Sequence, residues 1–182
     1  GIMMKNEKIV EIATKEGFAD AAIIDTADIV FDASFRPYCE ENLCGWYGAN
    51  YSCPPDCGTP EEMKKRVQKY KHALVLRTVW DINNFKDSSL IKSAKQKHNA
   101  YTMSVIEQME KEGHMGFMVG ASGCALCNPC TITNGEPCKF PNKRYSCMSA
   151  YCIYVKDLAE KCGMIYDYKE GALPFFSMYV YD

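Results

Sequence analysis

Histidine is scarce in this chain: three among 182 residues, and no two at the spacing of a ligand pair. Missing too are a Gly-rich phosphate loop, a nucleophile elbow and a His-Glu zinc-protease motif, so the commonest phosphate and hydrolase chemistries lack their residues. A basic excess is absent: 21 Lys and Arg stand against 23 Asp and Glu, for a net charge of −2. That balance argues against nucleic acid as a partner. No apolar run is long enough to span a bilayer, and the first 20 residues hold no signal-peptide h-region. The expectation is a cytoplasmic protein with no membrane partner. Repeats, low-complexity tracts and linkers are also lacking, so one domain over residues 1–182 is expected, long enough to bury its own core.

Against these absences stand eleven cysteines. The number is odd and no export signal accompanies it, which speaks against a disulfide framework and for metal or redox chemistry in a reducing compartment. The cysteines are bunched: four between 39 and 57, four between 124 and 138, three more at 147, 152 and 162, and none from 58 to 123.

Hydrophobic periodicity predicts a helix from Asn6 to Gly17, with Ile9, Ile12 and Ala13 on one face, then a short strand at Ala21–Ile24. Thr59-Pro60-Glu61-Glu62 predicts a helix start with a capping box, and His72 to Trp80 a strand. A long helix is expected from Asp87 to Glu112, and a third strand at Gly116–Gly120. Met148, Cys152, Val155, Ala159 and Cys162 step by four, three, four and three, which predicts a fourth amphipathic helix. Met164–Tyr168 and Phe175–Tyr181 read as a final pair of strands. The alternation of helices and strands predicts an α/β domain: a mixed, mostly parallel sheet flanked by helices. Both cysteine-rich loops would then leave from the C-terminal ends of strands, where open α/β sheets place their ligand sites.

The second group is the stronger signal. Cys124, Cys127 and Cys130 follow one another at spacings of three, and Cys138 comes eight residues later, with Pro141 beyond it. One loop wrapped this way presents three thiolates to an iron–sulfur cluster, and a distant fourth completes the shell, as in bacterial ferredoxins. A zinc knuckle needs only pairs and leaves one cysteine surplus, so spacing favours a 4Fe–4S cluster, with zinc as the alternative. The first group, Cys39, Cys44, Cys53 and Cys57, fits no standard spacing. Its Gly45, Gly48, Pro54 and Pro55 make a loop able to aim backbone N–H groups at sulfur. Four thiolates on either metal core leave net charge near −2, which Lys139, Lys143 and Arg144 would offset, or else form a solvated turn. Cys152 and Cys162 fall on an apolar stripe and read as core, Cys147 as core or a spare thiol, and His98 as a satisfied core histidine.

Taken together these residues resemble a cysteine-rich family described as predicted metal-binding proteins, domain of unknown function 2284. The resemblance runs over nearly the whole chain. It rests on Val30-Phe31-Asp32, Arg36, Cys39, Cys44, Tyr47-Gly48 and Cys53-Pro54-Pro55, then on Cys124, Cys127, Cys130, Cys138, Pro141, Met148 and Ala150-Tyr151. It implies metal binding, iron–sulfur before zinc, with no assigned reaction. The family pattern has no cysteine at Cys57. Its usual Ser-Met-Glu-Ala-Tyr-Gly-Ile-Asp-Val stands here as Cys147-Met-Ser-Ala-Tyr-Cys-Ile-Tyr-Val155. The lost carboxylates at Ser149 and Tyr154 put in doubt any role that needs them. Cys147 and Cys152, standing for Ser and Gly, read as non-ligands.

The expectation is therefore a metal-binding protein with one or two iron–sulfur clusters, in electron transfer with a redox partner protein. A zinc-stabilised adaptor module is the alternative of a different class. A small iron–sulfur redox enzyme is a third, with Arg36, Trp46 and Tyr47 as pocket walls and no identifiable catalytic residue.

Overall fold

The computed structural model describes residues 4–42, 44–83, 86–169 and 171–182. Helix α1 (Asn6–Glu16) buries Ile9 and Ala13 and ends at Gly17, whose φ of 126° is open to glycine at little cost. Strand β1 (Asp20–Asp25) follows, then a turn-rich stretch holding the short helix α2 (Arg36–Glu40). Helix α3 (Pro60–Gln68) opens with the expected capping box: Thr59 Oγ1 accepts the Glu62 N–H, and Glu62 Oε1 accepts the Thr59 N–H, both at 3.2 Å. Strand β2 (His72–Trp80), helix α4 (Ser88–Lys111) and strand β3 (Gly116–Gly120) come next. Strand β4 (Ser146–Cys147), helix α5 (Val155–Lys161) and strand β5 (Leu173–Tyr181) complete the order.

The five strands form one sheet in the order β1-β2-β5-β3-β4. The expected α/β class holds, but the mostly parallel sheet does not. Strand β5 inserts between β2 and β3 and runs antiparallel to both, β1 is antiparallel to β2, and only β3 and β4 pair in parallel. The β2-α4-β3 connection still brings its strands out in the same direction, with β5 between them. All nine residues of β5 are buried, as a central strand covered on both faces requires.

Helices cover each face. Leu74, Leu76, Met118, Tyr179 and Tyr181 pack against Ile9 and Ala13 of α1 and Val105 and Met109 of α4. On the other face Val75, Val119, Met178 and Val180 meet Met63 and Val67 of α3 and Leu158 and Ala159 of α5. A fully buried side chain of this size contributes about 2 kcal/mol to stability.

Two local expectations fail. The fourth helix spans Val155–Lys161 only, because Cys152 sits at φ 57° and Ile153 bridges Phe31, which holds the preceding segment in turns. Met148 and Cys152 are buried all the same, so the stripe was core without being helix. Residues 164–168 form no strand; an isolated bridge joins Lys169 to Ala172 just beyond them. Among the described residues no helix is long and apolar enough to cross a membrane.

Candidate metal centre

Strands β3 and β4 end side by side, Gly120 beside Cys147, and both cysteine groups gather at that edge. The second group leaves β3 directly, as expected. The first does not follow a parallel strand: β1 ends at the opposite edge, Asp25 beside His72, and the chain returns before the group begins.

Cys124, Cys127, Cys130 and Cys138 all line one small pocket of about 20 Å³, partly open to solvent, together with Asn50, Ser52, Leu126 and Phe140. Burial raises the pKa of the Cys124 thiol, while backbone N–H groups of Leu126 and Tyr145 directed at the sulfur pull it down. Arg144 also lines this pocket, although it is exposed. Lys139 and Lys143 are exposed and do not line this cavity.

Cys39, Cys44 and Cys53 line a second, wider pocket, open to solvent, with Trp46, Tyr47, Lys92 and Lys95. Cys44 is exposed and Cys53 buried. Burial pushes Cys53 up to about 12 and Cys57 to about 11, so metal must displace a proton from the Cys53 thiol. Cys57 does not line this pocket. Its Sγ lies 3.5 Å from Met63 Sδ, and it faces a different cleft beside Arg66 and Tyr151. Cys147 does line it, although the sequence marked it as core or spare. No spacing rule points to Cys147; its place follows from the pairing of β4 with β3. Lys92 and Lys95 of α4 are likewise positive charges that sequence reasoning passed over. All eleven cysteines are free thiols.

The two loops are joined. Asn50 Nδ2 donates to the Cys124 carbonyl at 2.9 Å, and Ser52 Oγ accepts the Cys124 N–H at 3.0 Å. Asn50 Oδ1 in turn accepts from the Ser52 N–H and hydroxyl. A Cβ added at Gly123 would lie 2.8 Å from the Trp46 ring and 3.2 Å from Cys53 Sγ, so this glycine lets the second loop press on the first.

Arg36 is buried and donates to Gly58 O at 2.7 Å, Ala150 O at 2.9 Å and Met63 Sδ at 3.2 Å. Its Nε has no hydrogen-bond partner, and among the described residues it forms no salt bridge. The groups whose charge it does influence are the thiols of Cys39, Cys57 and Cys152. A buried guanidinium with cysteines in place of carboxylates suits an anionic metal–thiolate group nearby.

A family model for predicted metal-binding proteins, domain of unknown function 2284, matches residues 22–180. The chain belongs to this family. The match takes in both cysteine groups, Arg36, Cys147 and the joining residues Asn50 and Ser52. No curated protein and no solved structure matches the chain.

Cys152 is buried and Cys162 half-buried against the core, as expected. His98 is fully buried between Thr78 and Ser177, apart from every cysteine loop.

Proposed function

We propose that this metal-binding protein holds two 4Fe–4S clusters and passes single electrons to and from a redox partner protein. The observation that carries the reading is the cavity lined by Cys124, Cys127, Cys130 and Cys138. Among the described residues no three His, Cys, Asp or Glu side chains converge closely enough to grip one metal ion. Cys124, Cys127 and Cys130 follow at spacings of three and share one pocket with Cys138, which supports iron–sulfur over zinc.

When bound, such a cluster supplies a one-electron couple whose potential depends on charge, hydrogen bonds to sulfur and solvent exposure. The chain's own residues set those quantities. N–H groups of Leu126 and Tyr145 directed at Cys124 favour the thiolate, and Arg144 adds positive charge beside it. In the wider pocket Lys92 and Lys95 serve the same end, and the exposed Cys44 gives a partner an approach. Gly123 and the Asn50–Ser52 hydrogen bonds hold the two groups against each other, as short-range passage of an electron requires.

The test is anaerobic purification, then a visible spectrum with iron, sulfide and zinc analysis on one sample. Two clusters predict broad absorption near 400 nm and about eight iron and eight sulfide per chain, from the ligand count. A colourless protein with stoichiometric zinc overturns the redox reading and leaves a zinc-stabilised adaptor in its place.

A further inference from the structure

The first cysteine group gains a fifth candidate in space. Cys147, the last residue of β4, lies 94 positions beyond Cys53 in the chain yet lines the same pocket as Cys39, Cys44 and Cys53. These thiols are close enough for their charges to act on one another, Cys147 on Cys39 and Cys53 and Cys44 on Cys147. Cys57 acts within the same group, so the shared pocket and not proximity alone separates the four from Cys57. Backbone N–H groups of Ser149 and Ala150 are directed at the Cys147 sulfur, and Lys95 adds positive charge. These are the supports a thiolate ligand needs. Cys57, the nearest rival in sequence, has its sulfur turned to Met63 Sδ and Gly58 O and lies in the core under α3.

We propose that Cys39, Cys44, Cys53 and Cys147 are the four protein ligands of the first metal centre, with Cys57 a packed core thiol outside it. The assignment rests on the reading that the cysteine loops bind metal. It deepens that reading in one respect. A cluster with four cysteine ligands has no open iron, which favours an electron carrier over an enzyme that binds substrate at the metal. It also ties the loop that follows α2 to strand β4, so metal at this centre closes a long chain segment and stabilises the fold.

The experiment compares the full chain with Cys147→Ala and Cys57→Ala, each prepared anaerobically. Iron, sulfide and zinc are measured, EPR spectra of oxidised and reduced protein are recorded, and circular dichroism checks the fold. The expected result is that Cys57→Ala keeps the iron content of the parent. Cys147→Ala loses about half of it, or gains the EPR signal of an oxidised three-iron cluster, while the second centre persists. Survival of that second centre is the internal control for folding. If Cys147→Ala keeps every iron and Cys57→Ala loses a cluster, the assignment falls and the two-cluster reading stands. If the parent holds zinc and only Cys147→Ala loses part of it, the cluster reading falls and the ligand assignment stands. A parent chain that binds neither metal overturns both.

Discussion

Ser52 Oγ accepts the backbone N–H of Cys124 at 3.0 Å, and this bond joins the two cysteine loops, next to Cys53 on one side and at Cys124 itself on the other. Asn50 completes the junction through its own bonds to Cys124 O and to Ser52. Both side chains are buried, so neither bond competes with bulk water. The loops come from chain segments about 70 residues apart, yet each depends on the other for its shape.

Asn50→Ala leaves the Cys124 carbonyl and the Ser52 N–H without their partner, while the Ser52–Cys124 bond itself keeps both its atoms. The expected loss is about 2–3 kcal/mol, the usual cost of stranding buried polar groups. The urea unfolding midpoint measures it, and iron content should fall in the same variant because both loops loosen. An unchanged midpoint would mean that water replaces the amide in full.

Gly123→Ala tests the contact between the loops from the other direction. The new methyl group meets the Trp46 ring at 2.8 Å and Cys53 Sγ at 3.2 Å, and neither can retreat without moving its own loop. Overpacking of this kind costs about 1–3 kcal/mol. Trp46 should shift its fluorescence toward exposed indole, read in a Trp80→Phe background so that one indole remains. If emission and iron content both match the parent, the two loops are not pressed together at this point.

Cys127→Ala and Cys162→Ala form a contrasting pair. Cys127 lines the small cavity, so its loss should abolish the second centre and remove about half the iron, about four per chain. Cys162 packs against the hydrophobic core under α5. Its truncation should leave metal content unchanged and cost about 1 kcal/mol for the lost packing. Metal loss in the second variant would make Cys162 a ligand or a support for one.

Much of this was legible in the sequence because it is local. The capping box at Thr59, the helix over 88–111 and the spacing of Cys124, Cys127 and Cys130 are each set by neighbours a few residues apart. What failed depends on long-range pairing. The position of β5 could have been suspected: an edge strand alternates apolar and polar residues, whereas Leu-Pro-Phe-Phe-Ser-Met-Tyr-Val-Tyr barely does, which marks a strand covered on both faces. The left-handed Cys152 did carry a signal: the family pattern has Gly at that position, the residue that takes positive φ freely. Cys147 carried none, since its neighbours in space are fixed by the short parallel pair of β3 and β4.

His98 carries the remaining prediction, on pH. Its Nδ1 lies 2.6 Å from Thr78 Oγ1 and its Nε2 2.7 Å from Ser177 Oγ, with no carboxylate among these partners. Trp80 Nε1 donates to Thr78 Oγ1, so the threonine has its own hydrogen free to give to Nδ1. Thr102 gives its hydrogen to the His98 carbonyl and accepts from Ser177, which accepts in turn from Nε2–H. The network closes with a neutral ring, and a second ring proton would meet the Thr78 hydrogen head on. Burial agrees, lowering the pKa from 6.5 to about 3. In the unfolded chain the ring titrates near 6.5, so the unfolded state binds the extra proton first. Stability from this group is complete above pH 6.5 and is lost as pH falls toward 3, with a slope approaching about 1.4 kcal/mol per pH unit. Between pH 6.5 and 5, above the range of ordinary carboxylates, the parent should lose about 1–2 kcal/mol relative to its stability at neutral pH. His98→Gln keeps a donor and an acceptor but does not titrate, so it should start less stable and lose less over the same interval. Thermal unfolding of both proteins at matched pH values measures the difference, and parallel slopes would mean that folded His98 already carries the second proton.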